Sequence, residues 1–132
     1  MKLELLIKPR PASRPRFGNG RTYNDEKYTA YKEEIQALIY IWKQHQDHHF
    51  FSSAIRIDID FHIPMPKSWT KKEKAEYLSK PHTQKPDIDN LTKAIYDSFL
   101  GIFFVDDSII CDGRQRKFWS ETGKIVISIT EI

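Results

Sequence analysis

The stretch Ile55-Arg56-Ile57-Asp58-Ile59-Asp60-Phe61-His62-Ile63 carries the clearest structural signal in the chain. Its apolar and polar residues alternate without a break, which is typical of a strand with one buried face and one polar face. We therefore predict a strand over residues 54–63. Its polar face is expected to meet solvent or one wall of a site. No catalytic role is assigned to its polar residues, because the polar face of an antiparallel strand is normally solvated.

Further regions are expected to join this strand in one sheet. Residues 2–8 alternate loosely between apolar and charged side chains and predict a first strand. Residues 114–120 and 124–131 are expected to form a closing hairpin around a Glu121-Thr122-Gly123 turn. Residues 10–21 are rich in proline and glycine and predict a loop that ends in a Gly-Asn-Gly turn.

Apolar residues at spacings of three and four predict two long helices that pack against the sheet. The first covers about residues 26–44, and Asn24 or Asp25 is expected to cap it. The second covers about residues 88–100 and is expected to stop at Gly101.

A short helix is also predicted, over about residues 70–79, because Thr70 and Glu73 have the spacing of a capping box. Together these elements predict an α+β fold. We expect residues 1–132 to form a single compact domain, in which a mixed or antiparallel sheet of about four to five strands packs with the helices.

The composition agrees with a folded domain in a reducing compartment. Hydrophobic residues make up 39% of the 132 residues, which favours a globular protein over a disordered one. No apolar run approaches the roughly 18 residues of a transmembrane helix, and the charged first residues do not fit a secretory signal. The single cysteine, Cys111, excludes an intrachain disulfide and is compatible with the cytoplasm, which is the expected location.

The residues suited to chemistry are concentrated in Lys85-Pro86-Asp87-Ile88-Asp89-Asn90-Leu91-Thr92-Lys93 and in the later pair Asp106-Asp107. Four carboxylates this close repel one another unless a cation lies among them. Aspartate oxygens are the ligands that hard divalent cations prefer, so a Mg²⁺ or Mn²⁺ site is one interpretation. The alternative is an acidic helix start and an acidic turn, both solvated.

The spacing within this acidic motif adds geometry to the first interpretation. Asp89, Lys93 and Asp97 lie on one face of the predicted helix at intervals of four. In an extended segment, only one of Asp106 and Asp107 faces the same pocket. Such a set suits the activation of water at a phosphodiester, with a lysine to neutralise the developing charge.

Positive charge is separated from the acids along the chain. Five cations and no acid lie between Lys8 and Arg21, whereas six acids and one lysine lie between Asp87 and Asp112. This separation suits a protein that holds a polyanion while metal ions bridge its phosphates to the acids. The candidate DNA contacts are Arg10, Arg14, Arg16, Arg21, Lys85, Arg114, Arg116 and Lys117.

The lysine-rich segment of residues 67–84 has two open interpretations. Its five lysines surround Trp69 and Tyr77, a mixture that suits either a grip on nucleic acid or a solubilising lid. His82 lies just before the acidic motif, and whether it or His62 assists the acids is open. The histidines at 45, 48 and 49 favour a solvated helix end over a metal site.

The acidic motif, followed by Ala94-Ile95-Tyr96-Asp97, Gly101 and Asp106-Asp107-Ser108, resembles that of the RusA-type Holliday junction resolvases, a family common in prophages. Arg14-Pro15-Arg16-Phe17 and Ile63-Pro64 are similar to the same family, so the resemblance spans nearly the whole chain. It implies a homodimeric endodeoxyribonuclease that uses Mg²⁺ or Mn²⁺. Its paired active sites would nick opposed strands of a four-way DNA junction and leave 5′-phosphate and 3′-hydroxyl ends.

The resemblance also implies roles for single residues. The catalytic, metal-binding aspartates of the family fall on Asp87, Asp89 and Asp107, its essential lysine falls on Lys93, and Asp106 matches a neighbouring acid with a secondary role at the metal. Asp97 matches another recurrent position, for which structural pairing with Lys93 is the competing explanation. The 67–84 segment is absent from the shortest family members, so the resemblance does not say how this chain binds the junction.

Two other functions stay open at this point. The same chemistry would serve a less selective nuclease of branched DNA or flaps. A catalytically idle DNA-binding module is disfavoured, because every position of the motif is retained, including Lys93.

Overall fold

The structure, a computed structural model, confirms the predicted α+β fold. It describes residues 1–13, 16–18, 21–23, 25–46 and 49–132, with the backbone alone for 16–18 and 21–23. A 3₁₀ turn at Asp107–Ile109 directly precedes the fifth strand. In chain order the strands and helices are β1 (Lys2–Leu5), β2 (Arg16–Gly18), β3 (Arg21–Tyr23), α1 (Glu26–Lys43), β4 (Ile55–Pro64), α2 (Lys71–Tyr77), α3 (Ile88–Phe99), β5 (Ile110–Ser120) and β6 (Lys124–Glu131).

The strand predicted at residues 54–63 is β4, and it lies inside a mixed sheet of order β1-β6-β4-β5. Strand β5 runs parallel to β4, and β6 runs antiparallel to it. Alternate residues of β4, from Ile55 to Ile63, are buried in one core with α1 and α3. The other residues of β4 are half-buried and polar. The alternation in the sequence therefore predicts correctly which face of the strand meets the core.

The predicted hairpin of residues 114–120 and 124–131 is wrong. Both strands exist, as β5 and β6, but β4 lies between them. Adjacent strands are about 4.8 Å apart, so the connection from β5 to β6 has to cross roughly 10 Å, which three extended residues can span. The inserted β4 gains a hydrogen-bonded neighbour on each side, and Ile59 and Phe61 become fully buried at the middle of the core.

The two long helices lie where the sequence predicts them. The Asp25 carboxylate accepts the backbone N–H of Lys27 and caps α1, whereas Asn24 lies outside the described residues. Helix α3 ends at Phe99, and Gly101 follows with a φ of 80°, which glycine adopts without strain. The helices contact each other and contribute to the core Tyr28, Tyr31, Ile35 and Ile39 from α1, and Leu91, Thr92, Ala94, Ile95, Ser98 and Phe99 from α3.

Helix α2 has the predicted capping box between Thr70 and Glu73, but it is shorter than expected and buries none of its side chains. An aromatic cluster holds it instead. The ring of Trp69 lies 5.0 Å from that of Tyr77 and 4.8 Å from that of Trp119 on β5. The lysines of α2 consequently stay on the surface of the molecule.

Residues 79–82 run antiparallel to the outer edge of β5. The backbone N–H of Ser79 donates to the Trp119 carbonyl, and that of His82 donates to the Lys117 carbonyl. The His82 ring is buried 4.3 Å from the ring of Trp119, and its Nδ1 has no hydrogen-bond partner among the described residues. Burial, and then the charge of Lys117, lower the pKa of His82 below 6.5. His82 is therefore a core residue of the lysine-rich segment.

The buried His82 predicts a loss of stability in mild acid. Below pH 6.5 the unfolded chain binds a proton at this site before the folded chain does, so the free energy of unfolding falls as pH drops toward the depressed pKa, with a slope of at most about 1.4 kcal/mol per pH unit. Burial also lowers the pKa of His62, which adds a slope of the same sign. We expect His82→Phe to flatten the dependence between pH 7.5 and 5, measured by urea denaturation. The same dependence in wild type and variant would contradict this.

The N-terminal third departs from the predictions in two places. Strand β1 ends at Leu5 instead of residue 8, because the Ile7 N–H turns back to the Leu5 carbonyl. The predicted loop of residues 10–21 contains an antiparallel pair, β2 and β3, and residues 19 and 20 of the predicted Gly-Asn-Gly turn lie outside the described residues. At the end of α1, His45 donates its backbone N–H to the Trp42 carbonyl, and residue 48 is outside the described ranges.

No helix in the described part of the chain is long and apolar enough to cross a membrane.

Candidate active site

A surface cleft of about 390 Å³, here called the acidic cleft, lies where α3, the 3₁₀ turn and β5 meet. Helix α3 contributes Asp89 and Lys93, the turn contributes Asp107, and β5 contributes Gln115. The lining is completed by Ile88, Thr92 and Tyr96. Two of the three catalytic aspartates that the family resemblance implies, Asp89 and Asp107, therefore share one cleft with Lys93.

The burial of α3 sets the direction of its polar residues. Leu91 and Ile95 are buried on the core side of the helix, so Asp89 and Lys93, one turn apart, lie on the exposed side. The Thr92 hydroxyl donates to the Ile88 carbonyl at 2.8 Å, which removes it as a free donor in the cleft. The charged groups of the cleft are thus a carboxylate and an ammonium from one helix and a carboxylate from the turn opposite.

The two acids of the Asp106-Asp107 pair have different settings. Asp106 is the N-cap of the 3₁₀ turn, and its carboxylate accepts the Ser108 N–H at 2.9 Å, which lowers the pKa of Asp106. Asp107 is the first residue of the turn and lines the acidic cleft. The predicted extended conformation holds for Asp106 but not for Asp107, which begins the 3₁₀ turn, and one acid of the pair, Asp107, lines the cleft.

Asp87 does not line the cleft. It occupies the N-cap position of α3 without a capping hydrogen bond from its side chain, and it follows a cis peptide bond between Lys85 and Pro86. Its carboxylate accepts hydrogen bonds from the Lys85 ammonium at 2.8 and 3.0 Å, and this partner lowers the pKa of Asp87. Both side chains are largely exposed, so the ion pair stabilises this rotamer only weakly.

Lys93 is held by a chain of hydrogen bonds that crosses from α3 to α1. Its ammonium donates to Asp97 one turn later, at 2.9 Å. The same carboxylate accepts the Tyr28 hydroxyl at 2.6 Å, and burial, followed by this contact with Asp97, raises the pKa of Tyr28 well above 10.0. The structural pairing proposed for Asp97 is therefore present, and it restrains the Lys93 side chain at the cleft.

Removing this carboxylate should affect stability. Asp97→Ala leaves the partly buried Tyr28 hydroxyl without its acceptor, and we expect the free energy of unfolding to fall by about 1–3 kcal/mol in urea denaturation. Asp112→Ala is the control, because Asp112 pairs with a partly exposed Arg56, and such pairs contribute little. Equal losses in the two variants would show that the contact with Tyr28 adds nothing.

Gln115 and Tyr96 were not identified from the sequence. Both line the cleft, and Gln115 Nε2 donates to the Tyr96 hydroxyl at 3.3 Å. A Cβ on Gly113 would lie 2.8 Å from that Nε2 and 3.2 Å from the hydroxyl, so glycine at this position leaves room for the pair. Only the parallel register of β5 on β4 places Gln115 on the helix side of the sheet, and no local pattern reveals that register.

The side chains of Asp87, Asp89 and Asp107, the proposed metal ligands, are not gathered around one point in this structure. Within the described ranges, no three His, Cys, Asp or Glu side chains lie close enough together to hold a metal ion. Asp89 and Asp107 still offer carboxylate oxygens to one cleft, which suits a hard divalent cation. Asp87 would have to leave Lys85 to join them, and the exposed ion pair opposes this rotation only weakly.

The structure separates the proposed DNA contacts into groups. Arg114 and Arg116 alternate with Gln115 along β5, so they lie on the opposite face of the sheet from the acidic cleft, and Arg116 pairs there with Asp60 at 2.7 Å. Lys117 shares the helix side with Gln115. Residue 14 lies outside the described part of the chain, and residues 16 and 21, in β2 and β3, are described by backbone only.

Arg10 and Lys85, in contrast, come together. With Lys8, Pro9, Pro11 and Pro86 they line a second cleft of about 380 Å³, here called the basic cleft. The segment that carries Arg10 is fixed to the start of α3, since the Ala12 N–H donates to the Asn90 carbonyl at 2.9 Å. Because Lys85 also pairs with Asp87, the basic cleft adjoins the acidic motif.

Carboxylates and a lysine beside a basic cleft are typical of enzymes that act on phosphodiesters. The sequence matches the family described as Endodeoxyribonuclease RusA over residues 7–130, and the chain belongs to that family. Membership in this family implies that the protein is an endodeoxyribonuclease, and it supports the activity of a Holliday junction resolvase. A relative, described as Uncharacterized protein YqaN from Bacillus subtilis (strain 168), is 31% identical over 139 aligned positions, which cover 100% of this chain and 96% of the relative.

Proposed function

We propose that this protein is a metal-dependent, structure-selective endodeoxyribonuclease that resolves four-way DNA junctions in the cytoplasm during recombination and repair. The observation that carries the proposal is that Asp89, Lys93 and Asp107, which match the family's catalytic positions, line one cleft although they come from two elements. The protein acts as a homodimer with Mg²⁺, for which Mn²⁺ can substitute. Two such clefts nick opposed strands symmetrically.

Asp89 and Asp107, which both line the acidic cleft, would hold the metal. Asp87 joins them from the N-cap of α3 once it is released from Lys85, and Asp106 remains secondary because its carboxylate caps the 3₁₀ turn. A Mg²⁺ held there would supply an activated water and would offset negative charge on the phosphate. Because Asp89 lies on α3 and Asp107 lies in the turn that leads into β5, the distance between the two carboxylates depends on how α3 packs against β5.

In the reaction, an oxygen of water bonds to phosphorus and the bond from phosphorus to the 3′ oxygen breaks, which leaves a 5′-phosphate and, after protonation, a 3′-hydroxyl. Lys93 lies at the cleft and neutralises charge that develops on the phosphate oxygens. Asp97 limits the motion of Lys93, so the ammonium is already oriented when the strand binds. Gln115 and Tyr96, hydrogen-bonded to each other, line the same cleft as Lys93.

The basic cleft is the proposed contact for the backbone of the bound strand. Lys8→Ala combined with Arg10→Ala removes two cations from it, and we expect weaker junction binding with a salt slope flatter by up to about 2, because each phosphate contact contributes about 0.9. The measurement is junction affinity between 50 and 300 mM salt, without a metal that supports cleavage.

The matched control for that experiment is Arg114→Ala with Arg116→Ala, which removes two cations from the opposite face of the sheet. We expect this pair to keep the wild-type slope. If the control flattens the slope and the first pair does not, DNA lies on the outer face and the assignment of the basic cleft is wrong.

The function itself is tested with substrates. The purified protein is incubated in Mg²⁺ with a four-way junction, a flap and a linear duplex of the same sequence, and the ends are mapped. We expect paired nicks in the junction and little cutting of the others. Equal cutting of all three indicates a less selective nuclease, and binding without cutting indicates an idle DNA-binding module. Either result contradicts the proposal.

A further inference from the structure

Lys117 makes a contact that its expected role as a DNA-binding cation does not explain. Its ammonium donates to the backbone carbonyl of Gln84 at 2.6 Å and to that of Pro86 at 2.7 Å. These two carbonyls flank Lys85, so one side chain holds both ends of the turn that leads into the acidic motif. Two of the three donors of the ammonium are engaged inside the protein.

The setting of Lys117 is partly buried. It stands on the helix side of β5, with Phe61 of β4 as its partner in the sheet, and its own carbonyl accepts the His82 N–H. Burial lowers the pKa of Lys117, and the charge of Asp87 opposes that shift. Lys117 thus holds the segment of residues 82–86 at two places. Its backbone carbonyl binds His82, and its side chain binds Gln84 and Pro86.

Asp87, which follows Pro86, is the first of the proposed metal ligands. The Asp87 carbonyl accepts the Leu91 N–H at 3.2 Å and so starts α3, and Asp89 follows in the first turn. Pro86 has no N–H, so its carbonyl is the one backbone polar group of that residue that can be held. Movement of that carbonyl shifts Asp87 directly and shifts Asp89 through the first turn of the helix.

We propose that Lys117 is a positioning residue, which holds the turn before α3 and thereby fixes the backbone from which Asp87 and Asp89 project. This role rests on the proposed function, because it matters for catalysis only if these acids bind the metal. It also predicts that Lys117 makes no essential contact with phosphate.

The test compares Lys117→Met with Lys124→Met, a control that removes a lysine of β6 bound to Glu4 at 3.5 Å. Amide hydrogen exchange of residues 83–91 is measured in metal-free protein, and we expect it to accelerate by about tenfold or more in Lys117→Met alone. The Mg²⁺ concentration for half-maximal cleavage should rise by about 10–100-fold, the usual effect of losing a group that orients metal ligands. The salt slope of junction binding should stay at the wild-type value.

Other outcomes overturn the inference. A salt slope flatter by about 1 with unchanged exchange would make Lys117 a phosphate contact. Unchanged exchange and unchanged metal dependence would mean that the two hydrogen bonds do not position the acids. If Lys117→Met does not fold, Lys117→Gln carries the same comparison, since it keeps a polar group but does not reach both carbonyls. If wild type itself fails to cut a junction, the proposed function fails, while the exchange data still decide the role of Lys117.

Discussion

Asp89→Asn is expected to abolish junction cleavage, with a loss of at least about 10²–10³-fold, while junction binding is kept or becomes tighter. The side chain lines the acidic cleft from the first turn of α3, so the amide removes a negative charge that serves as a metal ligand and that repels phosphate. Cleavage is measured under single-turnover conditions in Mg²⁺, and binding is measured in its absence. Asp58→Asn, on the polar face of β4, is the matched control and should cut normally. Loss of binding together with cleavage would contradict the assignment of Asp89.

Asp107→Asn is expected to reduce cleavage by a similar factor of at least about 10²–10³-fold, whereas Asp106→Asn should retain most of it. The reason is geometric: Asp107 faces the cleft, and Asp106 caps the 3₁₀ turn through the Ser108 N–H. Asparagine is also a good capping residue, so Asp106→Asn keeps the turn while it removes the charge. The same single-turnover assay applies to both variants. A larger loss in Asp106→Asn would exchange the roles of the two acids.

Local patterns are sufficient to predict the central strand and the three helices, although they miss β2 and β3. The alternation from Ile55 to Ile63 identifies the central strand and its buried face, and the spacing of apolar residues identifies both long helices. The capping box at Thr70 also marks the start of α2. Each of these signals depends on residues within one or two turns of one another, and such short-range preferences survive in the folded chain.

The order of the strands was not predictable in the same way. A short connection between two strands normally indicates a hairpin, yet β4 is inserted between β5 and β6. The insertion depends on how well β4 fills the core between two neighbours, which no short segment encodes. The same parallel register places Gln115 in the acidic cleft and places Arg114 and Arg116 on the other face, so these assignments require the tertiary structure.

The candidate site rests in part on spacing and in part on the family resemblance. Intervals of four along α3 correctly place Asp89 and Lys93 on one face, and they identify Asp97 as the partner of Lys93. Spacing does not show that Asp87 turns toward Lys85, because that rotamer depends on an ion pair at the surface. Nor does it show that Lys117 binds two carbonyls, because its partners lie more than 30 residues away in sequence.

The most direct test of the central claim is a crystal structure of the protein soaked in Mn²⁺, with the metal located by its anomalous scattering. We predict a peak in the acidic cleft, bound by carboxylate oxygens of Asp89 and Asp107, with Asp87 turned away from Lys85 toward it. A cleft without a peak, at a Mn²⁺ concentration that supports cleavage, would contradict the account.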